Sequence, residues 1–226
     1  MSNMNNDTLE FLKQLSKNNN KAWFDENRTH YEKVKKNLRK SFDAVFENLK
    51  KHDDVEGMQI FRINRDIRFS ADKTPYKNHM SVHYKRRKPE LRGGYYLHIE
   101  PGNKSFIAGG FWAPSKEDML RIRQEFELDA APMRKIMLDA QFQTVFGPVR
   151  GDTLSTAPKG FDKTHPDIDL IRMKNWYFET YFTDDEILAA NFISRVDATF
   201  RLFRPYFDYM SEVLSTDLNG ESVINQ

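Results

Sequence analysis

Eighteen consecutive residues, Arg62 to His79, gather five cations, two carboxylates, a tyrosine and a histidine. Cationic side chains held close together on a loop can clamp a phosphate or carboxylate, arginine through its bidentate fork and lysine as a point charge. Arg65, Arg68, Lys73, Tyr76 and Lys77 are therefore candidate ligand contacts, with Asp66 and His79 as candidate acid or base groups. Beside so many cations, Asp66 should stay ionised and orient arginines rather than take a proton. If the first half of this run is a strand, Phe61, Ile63, Ile67 and Phe69 share a face with Arg65. Arg65 then needs a carboxylate partner, or a bulge at Asn64–Asp66 that turns it to a cleft. Without that irregularity Arg65 and Arg68 point to opposite faces and cannot meet one anion. Ser70, Asp72 and Pro75 make the second half a loop, which would fold Lys73 and Lys77 back over the strand end. Lys159 and Arg172, from the long connection at 147–165 and its exit, are the distant candidates.

Other chemistries lack their residues. The chain has no Cys, which excludes disulfides, thiolate catalysis and cysteine-ligated zinc. His79 and His83 have metal-ligand spacing, but on an extended segment they would stand ~13 Å apart, so neither metal nor cofactor is expected. Neither a glycine-rich dinucleotide motif nor a phosphate-loop motif occurs, and Ser70 lacks the surroundings of a hydrolase nucleophile.

The net charge is +2, yet Arg62 to Arg92 carries ten Lys/Arg against three Asp/Glu, leaving the remainder negative. Such a localised basic segment attracts anions. Three readings are open: a cleft for an anionic small molecule, a nucleic-acid surface, or a structural ion-pair block in an interaction module. In the second, Lys85 to Lys88 would meet phosphates and Tyr84, Tyr95 or Tyr96 would stack on bases. Without an apolar N-terminal core or a run of ~20 apolar residues, a soluble cytoplasmic protein with no membrane partner is expected.

The elements that must position these residues alternate between two periods. Thr8 caps a short helix, and Asn18-Asn19-Asn20 breaks it and offers the next cap. A long helix over 21–51 follows, with Phe24, Asn27, Tyr31, Val34, Leu38, Phe42, Val45 and Leu49 at three- and four-residue steps. Its opposite face, with Lys33, Lys35, Lys36, Arg39 and Lys40, reads as a solvated basic surface. Strands are predicted at 58–69, 79–85, 94–100 and 105–112, with another over Trp176–Phe182. Ser115 and Thr183 start helices in capping-box spacing; a final long helix over 184–204 meets Pro205, which should kink or interrupt it. Short connections make the strands a meander. The fold class is α+β: one domain over 1–226 with its core at about 7–215, and a mostly antiparallel sheet of four to five strands flanked by long N- and C-terminal helices.

Several stretches together resemble one family. They are Asn18-Asn19 with Trp23-Phe24, Arg65-Asp66-Ile67-Arg68-Phe69-Ser70, Asp72-Lys73-Thr74-Pro75-Tyr76-Lys77 and Tyr95-Tyr96-Leu97-His98-Ile99-Glu100-Pro101-Gly102. Gly109-Gly110-Phe111-Trp112-Ala113-Pro114 and Pro158-Lys159-Gly160-Phe161-Asp162 with His165-Pro166 complete the set. The chain is similar over nearly its whole length to the bacterial and fungal family catalogued as domain of unknown function 2461. The resemblance implies domain extent and motif boundaries, and it brings no activity with it.

Overall fold

A computed structural model describes residues 4–224. Five strands, β1 (Val55–Ile60), β2 (Met80–Arg86), β3 (Gly94–Ile99), β4 (Ser105–Phe111) and β5 (Trp176–Phe182), form one antiparallel sheet in the order β1-β2-β3-β4-β5. The chain is α+β. No helix of the described residues is long and apolar enough to cross a membrane.

Helices α1 (Asn6–Lys17), α2 (Lys21–Glu26) and α3 (Arg28–Leu49) precede the sheet. The first is capped by Asn5, whose side chain accepts from the Asp7 N–H at 3.1 Å, and not by Thr8, which is buried inside the helix. The expected long helix is divided at Asn27, whose ψ of 11° leaves the helical range, while its N–H at 3.0 Å and its Nδ2 at 2.9 Å both donate to the Trp23 carbonyl. Beyond the break, Tyr31, Val34, Leu38, Phe42, Val45 and Leu49 all face the core, as their spacing dictates.

The first strand stops at Ile60. Residues 61–79 are a loop with a single bridge between Asn64 and Tyr76, so the predicted strand at 58–69 is mostly absent. The apolar alternation misleads here because Phe69 is 96% exposed and Ile63 is buried beside the bridge.

After β4 come α4 (Lys116–Asp129), α5 (Ala131–Met137), α6 (Ala140–Phe146) and α7 (Ile168–Ile171). Ser115 caps the first of these through Asp118 N at 3.0 Å. Past β5, the expected helix at 184–204 is three pieces: α8 (Asp184–Leu188), α9 (Phe192–Arg201) and α10 (Arg204–Ser215). Thr183 and Glu186 form the capping box of the first, and extended Ala189 ends it. Pro205 sits in the first turn of the last, where its missing N–H costs no ladder bond.

Two compact units can be distinguished, each assembled from three stretches of chain. The first comprises 1–85, 96–107 and 181–198; its buried residues include Leu12, Phe42, Val45, Val82, Leu97 and Ile187. The second comprises 86–95, 108–180 and 199–226, with a core rich in aromatics such as Phe126, Trp176, Phe178, Phe203, Tyr206 and Phe207. Within it the buried polar tips are satisfied: Trp176 Nε1 donates to the Leu170 carbonyl at 3.2 Å and Tyr206 to the Trp176 carbonyl at 2.8 Å.

Candidate functional site

The loop over 61–79 holds its own cations. Arg65, half-buried, bonds the Asp72 carboxylate and the Thr74 hydroxyl, with Ser70 Oγ and the Thr74 carbonyl each at 3.3 Å. The Arg65 N–H donates to the Pro75 carbonyl at 2.9 Å, and the Lys77 N–H to the Ile63 carbonyl at 2.8 Å, fixing the two limbs of the loop. Arg65 thus takes the carboxylate-partner alternative, as a strut of the loop. Arg68 is exposed and forks onto Asp66 at 3.0 and 2.7 Å, which holds that carboxyl below its usual range. Lys73 donates to the Ile67 carbonyl at 2.9 Å. Tyr76 is buried and stacks on Phe24 with centroids 4.0 Å apart. Lys77 stands over the Phe61 ring at 5.6 Å, and burial, aided by Arg62, lowers its pKa. Of the five, Arg65, Arg68 and Lys73 bond within the loop itself, while Tyr76 and Lys77 lie against aromatic rings. Lys159 and Arg172 belong to the second unit, where Lys159 is exposed and Arg172 Nε donates to the Leu154 carbonyl at 2.7 Å.

Of the 85–88 cations, Arg86 is not on the surface. It is 1% exposed, lies over the Phe207 ring and donates to Arg92 O at 2.9 Å and Ser211 Oγ at 3.0 Å. Tyr84 and Tyr95 are fully buried, so neither can stack on a base.

A different basic concavity lies within the first unit. It has a volume of about 680 Å³ and is bounded by α3 on one side and residues 60–64 on the other. Arg28, Lys35, Lys36, Arg39 and Arg62 rim it against a single carboxylate, Glu32, and its apolar surface comes from residues including Phe24, Tyr31 and Phe61. Lys35 reaches Glu32 at 3.4 Å and Arg39 reaches Asp43 at 3.1 Å, whereas Lys36 and Arg62 form no ion pair among the described residues. Tyr76 is the one predicted contact that lines this groove. The helix-spaced cations read as solvated surface because nothing in their own sequence places residues 60–64 opposite them.

A second cluster was not visible in local spacing. His79, at the entrance to β2, meets His98 and Glu100 at the end of β3. The two rings lie 4.1 Å apart, His98 Nε2 donates to Glu100 Oε2 at 2.9 Å, and His79 Nδ1 is 4.0 Å from that oxygen. Tyr96 Oη is 3.2 Å from His98 Nδ1, and Asn78 Nδ2 donates to Glu100 Oε1 at 3.0 Å. Burial, aided by the His98 ring and Lys77, pushes His79 down to about 4; burial and Lys77 push His98 to about 4 as well. The available signal was Tyr96-x-His98-x-Glu100, which puts three polar side chains on one face of a strand adjacent to His79.

The fold and these sites define an α+β protein with a basic groove and a histidine–glutamate cluster, both in its first unit. The chain belongs to the family described as conserved hypothetical protein, DUF2461, whose model matches residues 7–209. Searches of curated proteins and of solved structures returned no significant match.

Proposed function

We propose that the protein binds a small anion bearing phosphate or carboxylate in the groove between α3 and residues 60–64, with an apolar or aromatic part of the ligand against Phe61. The observation carrying this reading is the rim of five cations facing one carboxylate above an apolar floor. Like-charged residues held around a concavity raise the local concentration of the opposite charge. A volume of about 680 Å³ is within the range of small-molecule sites. Lys36 and Arg62 are the principal anion contacts, since they have no carboxylate to leave. Tyr76, stacked on Phe24, positions the wall. Arg65, Arg68 and Lys73 support the loop that carries Arg62.

A thermal-shift series with inorganic phosphate, citrate and adenosine monophosphate tests the reading. A ligand at a hundred times its dissociation constant stabilises the fold by about 2.7 kcal/mol, or roughly 5–10 °C for a chain of this size. The ligand with an aromatic part should act at lower concentration than inorganic phosphate. Absence of any shift with all three, at low salt and millimolar concentration, would count against the groove. A shift produced only by single-stranded oligonucleotides would favour the nucleic-acid reading instead.

A further inference from the structure

The cluster at His79, His98 and Glu100 shares no residue with the groove, and its chemistry is independent of the anion reading. Its donor atoms all lie within 4.8 Å of one another. A cation bound at about 2.0–2.2 Å needs its donors roughly 3–3.5 Å apart. His98 Nε2 and Glu100 Oε2 are at 2.9 Å, and only His79 Nδ1, at 4.0 Å from the same oxygen, has to turn inward.

The atoms behind the donors are held as metal ligands require. A ligating histidine usually presents its other nitrogen to an oxygen, and a ligating carboxylate has its own hydrogen bond. Here Tyr96 Oη faces His98 Nδ1 at 3.2 Å, and Asn78 Nδ2 fixes Glu100 Oε1 at 3.0 Å. The Glu100 N–H donates to Ser105 Oγ at 3.0 Å, which fixes the backbone of the carboxylate residue. His98 also stacks on Phe106 with centroids 4.5 Å apart, closing one side with an apolar ring.

We propose that His79 Nδ1, His98 Nε2 and Glu100 Oε2 together bind a divalent first-row transition cation such as zinc, leaving further coordination positions open. Imidazole and carboxylate are a donor set such ions accept. On binding, the His98 proton now shared with Glu100 leaves Nε2, and Nδ1 carries one that Tyr96 Oη accepts. The imidazole remains neutral and the proton count is unchanged. Lys104, 3.8 Å from Glu100 Oε1, and the nearby Lys77 oppose a second positive charge. The same two lysines suit an anionic ligand in an open position of the bound ion.

The test is calorimetric titration of zinc or cobalt(II) into the full-length, untagged chain, with X-ray absorption of the zinc-loaded protein. One equivalent should bind, and the absorption spectrum should show two imidazole nitrogens with oxygen. His98→Ala and Glu100→Gln should each lower affinity at least tenfold, and Tyr96→Phe roughly 10–100-fold. His165→Ala should leave it unchanged. Circular dichroism checks folding, and because the absorption spectrum reads the wild-type ligands directly, a misfolded variant does not remove the test. Absence of stoichiometric uptake, a spectrum without two imidazoles, or wild-type affinity in a folded His98→Ala variant would overturn the proposal. The cluster would then be a hydrogen-bonded network of the sheet only.

Discussion

At the scale of single residues, the side chains that attract attention in the sequence divide into struts and contacts. Arg65 joins Asp72, Thr74 and Ser70 within its loop, whereas Arg68 pairs at the surface with Asp66. Arg65→Ala should lower stability by about 1 kcal/mol through the lost hydrogen bonds, and Arg68→Ala should leave the urea midpoint unchanged. Equal effects of the two would contradict the division. The histidine pair makes a second prediction. Folding holds His79 and His98 at about 4, below the ordinary value of ~6.5 in the unfolded chain. Between those values the unfolded chain binds more protons than the folded one, so stability there rises with pH. The pair's contribution is complete above ~6.5 and is lost as pH falls towards 4, ahead of most carboxylate titration. Urea midpoints measured from pH 7.5 to 4.5 should fall more steeply in the wild type than in a His79→Gln/His98→Gln double variant; parallel curves would contradict this.

At the scale of elements, strand β4 passes β5 at Gly110 with no room for a side chain. A Cβ on Gly110, at φ +144°, would lie 2.4 Å from the Trp176 carbonyl oxygen. Gly110→Ala should therefore destabilise by about 1–3 kcal/mol, combining an unfavourable backbone angle with overpacking. A denaturation midpoint equal to wild type would show that the strand shifts without cost. Strands β2 and β3 were legible because apolar and polar residues alternate, β4 because it is apolar on both faces after the Pro101–Lys104 turn, and the buried face of α3 because its period is unbroken. The break at Asn27 was not legible: Asn27 keeps the helical spacing, and only its backbone angles, φ −98° and ψ 11°, depart from the helix. Nor was the end of β1, since the alternation continues through Ile67 and Phe69 after the ladder has stopped. The candidate site was legible only in part. Within the basic block, Arg62 and Tyr76 line the groove, while Arg65, Arg68 and Lys73 bond within the loop. The histidine cluster combines residues separated by a hairpin-like connection, and spacing within one segment cannot reveal it.

At the scale of the whole molecule, each compact unit draws on three separate stretches of chain, so neither exists as a contiguous fragment. We propose on that ground that the chain behaves as one domain, and urea unfolding followed by tryptophan fluorescence and circular dichroism should give coincident single transitions. Two resolved transitions would contradict it. A net charge of +2 on the whole chain is small, while the groove gathers five cations on one concavity, three of which, Arg28, Lys35 and Arg39, pair with Asp25, Glu32 and Asp43. Anion binding in the groove is tested most directly by calorimetric titration of adenosine monophosphate into wild-type protein and a Lys36→Ala/Arg62→Ala double variant at low salt. The wild type should show one saturable site, and the variant at least tenfold weaker binding at an unchanged melting temperature; equal affinity in the two would contradict a site at Lys36 and Arg62.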